Sequence, residues 1–117
     1  MGQVINGDRY LRFPILTDCV TIAFVIRSFK NTDTEKVWNR EHIRAFGPDL
    51  QRAAQKKLRL LNAVTELNSL RVPPGNRLEE LVGDRSGQHS IRINDQYRIC
   101  FVWTDTGPTD VEITDYH

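Results

Sequence analysis

The apolar period changes once along this chain, and that change constrains the fold more than any other feature. Leu50, Ala53, Ala54, Leu58, Leu61 and Val64 recur at spacings of three and four, the pattern of a helix with one buried face. Further on the spacing falls to two. Ile91 and Ile93 alternate with Ser90, Arg92 and Asn94, and Tyr97, Ile99, Phe101 and Trp103 alternate with Arg98, Cys100 and Val102. A period of two places successive side chains on opposite faces of a sheet. The switch falls across Val72-Pro73-Pro74-Gly75-Asn76. Two prolines there cannot continue a helix, and Gly-Asn favours a turn.

The other elements follow from the same signals. Gly83 to Gly87 is a turn, Asn94-Asp95 joins two strands, and Asp105 to Pro108 turns into a last strand marked by Val111 and Ile113. Upstream, the β-branched density of Val20 to Phe29, strongest in Ile26 to Phe29, predicts an N-terminal strand. Thr32 and Glu35 have capping-box spacing, with Thr32 as the N-cap of a short helix whose inner face is Val37 and Trp38. Gly47-Pro48 separates that helix from the long one, and Pro48 suits a first helical turn. Thr65-Glu66-Leu67 restarts a turn of helix ending near Leu70. The expected fold is α+β: an N-terminal strand, then two to three helices packed on one face of a curled antiparallel sheet.

A chain of 117 residues with 26% charged and 39% hydrophobic residues is of ordinary globular composition, and it is long enough to bury a core without covalent staples. Its longest apolar run, Val20 to Ile26, is far short of a membrane span, and no small-x-small cleavage site follows it. Cys19 and Cys100 make neither a zinc site nor a disulfide framework, so a reduced, cytoplasmic setting is expected. There is no P-loop, no GxGxxG and no Gly-x-Ser-x-Gly elbow. Nucleotide binding and serine nucleophile chemistry therefore have no support.

The formal net charge is +1, yet the charge is segregated. Residues 51–77 carry Arg52, Lys56, Lys57, Arg59, Arg71 and Arg77 against the single acid Glu66. Residues 104–117 carry Asp105, Asp110, Glu112 and Asp115 and no Lys or Arg. From charge alone the basic stretch is either a solvated helix face or a surface that tracks phosphates, extended from the sheet by Arg85, Arg92 and Arg98. The chain ends on Asp115-Tyr116-His117, which is either a solvated tail or a group of side chains able to handle protons near neutrality. His42 and His89 have no metal-ligand spacing.

From Ile26 to His117 the chain resembles the HigB group of RelE/ParE-superfamily toxins of bacterial type II toxin–antitoxin modules. The resemblance rests on Ile26-Arg27-Ser28-Phe29, Ala63-Val64-Thr65-Glu66-Leu67, and Pro73-Pro74-Gly75-Asn76-Arg77-Leu78-Glu79. It continues through Gly83-Asp84-Arg85-Ser86-Gly87-Gln88-His89-Ser90-Ile91-Arg92, Asn94 to Phe101, and Asp115-Tyr116-His117, all in order. It implies a small RelE-like fold that enters the ribosomal A site and cuts mRNA during translation. It implies a cognate HigA-like helix-turn-helix antitoxin, with the 70S ribosome and mRNA as further partners and no membrane. Residues 1–25 lie outside it and read as an extension. Val25 stands where a GTG start codon would be read internally, so the native chain is expected to begin there.

The resemblance also implies an active site of Arg98, Asp115, Tyr116 and His117; on the phosphate-tracking reading of the charge, Arg52, Lys56, Lys57, Arg59, Arg77, Arg85 and Arg92 face RNA. The residue types suit cleavage by RNA's own 2′-hydroxyl. That reaction needs a proton acceptor at the hydroxyl, a cation for the crowded phosphorane and a donor to the leaving 5′-oxygen. Arg98 suits the second role and His117 the first or third. Tyr116 can stack on a base or bond to phosphate, and Asp115 can orient His117. Neither metal nor cofactor is called for. One position departs from the family: where better-studied members carry a further catalytic histidine, this chain has Glu79. The gyrase-poisoning ParE branch, and a toxin that disturbs ribosomes or their assembly without cutting, stay open as alternatives.

Overall fold

The structure, a computed structural model, describes residues 25–115. The elements run in the order α1 (Thr32–Trp38), α2 (Pro48–Ala63), β1 (Glu79–Glu80), β2 (His89–Arg92), β3 (Tyr97–Thr104) and β4 (Gly107–Asp115), with 3-10 turns at Leu67–Arg71, Pro74–Asn76 and Gly83–Arg85. The strands form one antiparallel sheet in the order β1-β2-β3-β4, a meander of the kind short turns permit.

Cross-strand partners share a face, so the register assigns the faces. Ile91 lies opposite Ile99, which lies opposite Ile113, and His89 lies opposite Phe101. This is the face that meets the helices: Leu58, Leu61 and Ala54 of α2 and Val37 of α1 join Ile91, Ile99, Phe101, Val111 and Ile113 in one core. The other face carries Glu79 opposite Ser90, Ser90 opposite Cys100, Arg92 opposite Arg98, Arg98 opposite Thr114, and Cys100 opposite Glu112.

Helix α2 presents a buried stripe of Gln51, Ala54, Leu58 and Leu61. It is turned one residue from the stripe expected through Leu50. The polar Gln51 is buried because its amide is satisfied on both sides: its Oε1 accepts from Ile43 N at 2.6 Å, and its Nε2 donates to Glu41 O at 3.0 Å. Buried polar groups persist where they are so paired. The α1 cap also differs from expectation. Asn31, not Thr32, is the N-cap, and its Oδ1 accepts from Thr34 N at 2.8 Å. That frees the fully buried Thr34 to accept from Ile113 N at 3.0 Å through Oγ1, tying α1 to β4.

The expected N-terminal strand is reduced to a single parallel bridge between Phe29 and Val111. Residues 27–30 run beside β4 through Arg27 N to Pro108 O, Val111 N to Ser28 O and Lys30 N to Val111 O. A bulge in β4 breaks that ladder: the β3–β4 register shifts by one residue between Cys100 and Val102. Asp110 there has φ 51, and its N–H donates to Ser28 Oγ rather than to a backbone carbonyl. An extra residue of this kind bends its strand and ends regular pairing. The part of the expected strand before residue 25, and the extension read over residues 1–24, lie outside the described residues.

Candidate active site

Arg98 sits mid-sheet on β3, on the face away from the helices, and is 5% exposed. Its guanidinium is held from two sides. Nε donates to Ser90 Oγ at 2.8 Å, and Nη2 donates to the backbone oxygen of Arg77 at 2.7 Å. Ser90 is its diagonal neighbour on β2. Arg77 follows the Pro74–Asn76 turn in the left-handed region, at φ 47 and ψ 57. A non-glycine residue there costs roughly 1 kcal/mol, and the turn brings the Arg77 carbonyl to Arg98. Glu79 Oε1 stands 3.8 Å from Arg98 Nη2.

Around this guanidinium lies a hollow of about 410 Å³ lined by Arg77, Glu79, Arg92, Asn94, Asp95 and Arg98, within the usual range of ligand-sized sites of roughly 300–1,000 Å³. Three arginines face two acids, and Arg92 is paired with Asp95. The 93–97 turn that closes one side is set by Asn94, whose Oδ1 accepts from Gln96 N at 2.9 Å and Tyr97 N at 2.8 Å. Of the three guanidiniums only that of Arg98 is both buried and held in place, and a fixed planar cation of this kind suits an oxyanion.

The residues expected from sequence are sorted by this geometry. Arg98, Arg77, Arg92 and Glu79 come together. Arg85 does not line the hollow; it donates to Gln88 Oε1 and Glu112 Oε1, each at 3.2 Å, on the far part of the same face. Arg52, Lys56, Lys57 and Arg59 line a second hollow of about 740 Å³ with Arg40, Ala53, Gln55 and Ile93, and no acid lines it. Arg40 was missed at the sequence level; it precedes α2 in a loop with φ 67, a conformation that sequence spacing does not signal. Lys57 departs from the solvated face expected for it. It is half-buried and donates to Asn76 Oδ1. Desolvation first, then the charges of Lys56 and Arg92, holds its ammonium below the ordinary lysine range.

Asp115 lies opposite Tyr97, whereas Arg98 lies opposite Thr114. The register thus puts Asp115 on the face Arg98 does not use, where Gln96 Nε2 donates to its Oδ2 at 2.8 Å. Tyr116 and His117 lie outside the described residues. Cys100, next on the Arg98 face, is buried, and burial above all pushes its thiol up, away from nucleophilic use. Among the described residues no three His, Cys, Asp or Glu side chains gather as a metal-binding set, and no helix is long and apolar enough to cross a membrane.

The fold is thus a small α+β domain with an arginine-lined hollow on the open face of a four-stranded meander, backed by two helices. A family model described as the RelE-like toxin of the type II toxin–antitoxin system HigB matches residues 27–117. The chain belongs to that family of HigB-like toxins. Over 62 residues, 53% of this chain and 65% of its counterpart, it is 44% identical to Toxin HigB-1 of Vibrio cholerae. Over 53 residues, 45% of this chain and 52% of its counterpart, it is 38% identical to an uncharacterized protein of Haemophilus influenzae. The matched segment thus spans less than two thirds of each relative's length. Among solved structures it is similar to a chain of the YoeB-YefM complex from Staphylococcus aureus, with 14% identity, 80% of this chain and 97% of that chain covered, and a TM-score of 0.47.

Proposed function

We propose that this protein is a ribosome-dependent endoribonuclease: a toxin that cuts mRNA in the A site and is restrained by a HigA-like helix-turn-helix antitoxin. The observation that carries the reading is the buried Arg98 guanidinium, fixed by Ser90 and Arg77 in the wall of an arginine-rich hollow, in a chain of the HigB-like toxin family. Attack by the 2′-hydroxyl on the adjacent phosphorus builds negative charge on the non-bridging oxygens. A cation already held in place at that position stabilises the charge without reorganising. In this reading Arg77 and Arg92 supply countercharge to the flanking phosphates, and Arg40, Arg52, Lys56 and Arg59, which line the second hollow together with Lys57, meet ribosomal RNA. His117 and Tyr116 are assigned proton transfer and base or phosphate contact on the family resemblance.

Primer-extension mapping of mRNA 5′ ends after brief induction tests the reading. New ends within translated codons, absent when initiation is blocked, support it. Growth arrest without new ends replaces it with a toxin that disturbs ribosomes without cutting, and supercoiling changes point to gyrase. Co-expression with the neighbouring helix-turn-helix reading frame is expected to give one complex on size exclusion; separate elution refutes that pairing.

Glu79 is the position that most directly sets the rate. A carboxylate 3.8 Å from Arg98 offsets part of the charge meant for the phosphorane. Glu79→His removes that offset and places a group that titrates near neutrality beside the phosphate. We expect cleavage to rise by roughly tenfold or more in a reconstituted ribosome assay. An unchanged or lower rate makes Glu79 a charge partner that Arg98 requires.

A further inference from the structure

Asn76 is fully buried in a loop that otherwise faces solvent: Val72 is 70% exposed, and Pro73, Pro74, Gly75 and Arg77 are all exposed. Every polar atom of its side chain is used. Nδ2 donates to Leu70 O at 3.1 Å and to Val72 O at 3.2 Å, and Oδ1 accepts from Lys57 Nζ of α2. The next residue, Arg77, delivers the carbonyl that accepts from Arg98. A continuous line of polar contacts therefore runs from helix α2 through Lys57, Asn76 and the Arg77 backbone to the Arg98 guanidinium and Ser90.

We propose that Asn76, anchored by Lys57, is the positioning residue for Arg98: it fixes the loop so that the Arg77 carbonyl holds the guanidinium against the hollow. This rests on the reading of Arg98 as the group that meets the phosphorane. The physical case has two parts. An amide wholly removed from water is retained where all its hydrogen bonds are made, and losing one leaves a buried polar group unsatisfied. Among the described residues no other hydrogen bond joins the loop to α2, and the Arg77 left-handed turn depends on the loop's shape. Lys57 thus has a different task from Lys56 and Arg59 beside it. Although it lines the same hollow, its ammonium is engaged by Asn76 Oδ1, and it supports the site rather than tracking RNA.

The test uses the full chain and three variants. Lys57→Met keeps the aliphatic stem and removes the bond to Asn76. Asn76→Asp keeps an acceptor for Lys57 and loses the donors to Leu70 and Val72. Asn76→Ala removes everything and is read only if it folds. Two measurements are made: ribosome-dependent cleavage with kcat and KM separated, and the Arg98 15Nε–H resonance with its exchange rate. In the wild type that N–H donates to Ser90 Oγ in a buried setting, so slow exchange is expected. The expected result is a kcat loss of about 10- to 100-fold for Lys57→Met and Asn76→Asp, with KM within about twofold and a shifted, faster-exchanging Arg98 signal. Lys57→Arg, which can still donate to Asn76, is expected to recover most of kcat and the native signal. A rise in KM alone with an unchanged Arg98 signal overturns the proposal and makes Lys57 a phosphate contact. If the wild type does not cut mRNA, the nuclease reading fails, and the Arg98 resonance alone still decides whether Asn76 positions it.

Discussion

Arg98→Ala is expected to abolish growth arrest and to lower cleavage of ribosome-bound mRNA by on the order of 10²-fold, the usual loss for one electrostatic stabiliser of a developing oxyanion. The side chain is 5% exposed and makes hydrogen bonds to Ser90 and Arg77, so its removal also leaves those acceptors unpaired. Thermal unfolding of the purified variant separates the two effects. Arg98→Lys refines the test. Lysine keeps the charge but is a point donor without the planar fork, and it cannot bond both acceptors in the same geometry. An intermediate loss, with the same cut positions and near-native stability, assigns the deficit to charge placement. Deleting His117 is expected to match Arg98→Ala in activity, with thermal unfolding of that variant read alongside. Wild-type cut patterns in both variants would overturn the assignment and favour the non-cleaving toxin.

The largest stability effect is expected at Gly107, at the start of β4. Its φ is 131, a backbone conformation L side chains rarely adopt, and a Cβ built there would meet the carbonyl oxygen of Val25 well inside van der Waals contact. The obstacle is backbone, and the segment that carries it is tied to β4 by Arg27 N to Pro108 O at 2.8 Å. It cannot rotate away as a flexible side chain would. Backbone strain and overpacking each cost about 1–3 kcal/mol, so Gly107→Ala should lose roughly 3 kcal/mol or more. That is a large share of the roughly 5–15 kcal/mol of an ordinary domain. Urea unfolding reads it as a lower midpoint. Gly75→Ala is the control, because nothing lies within 4 Å of a Cβ there; its expected change is within about 0.5 kcal/mol. Equal midpoints for both variants would show that residue 25 yields freely.

What the sequence determined about this protein is local or periodic. The spacing of three and four placed a helix where α2 runs. The spacing of two placed β2 and β3 and set Arg92 apart from Ile91 and Arg98 apart from Ile99, because alternation within a strand needs no knowledge of the partner; the pairing of Arg92 with Arg98 came from the register. Asn94, the Pro-Pro-Gly-Asn loop and Gly47-Pro48 marked boundaries through the chemistry of single residues. The motif order carried the family, and with it the expectation that Arg98 and Glu79 belong to the site. Tertiary structure decided which polar groups would find a partner far away in the chain. Lys57 reads as one more cation on a wet helix face, yet a loop 19 residues on turns it inward. Asn76 reads as a turn residue and is instead the most buried amide of the site. Gln51 displaces Leu50 from the core stripe because residues 41 and 43 bond its amide. The single extra residue at Asp110 shortens the expected first strand to one bridge, and the pairing of Tyr97 with Asp115 sets the terminal acid on the face opposite Arg98. Periodicity measures how a segment divides water from core. The partners of a buried hydrogen bond depend on which segments the fold brings side by side, and only long-range packing supplies that.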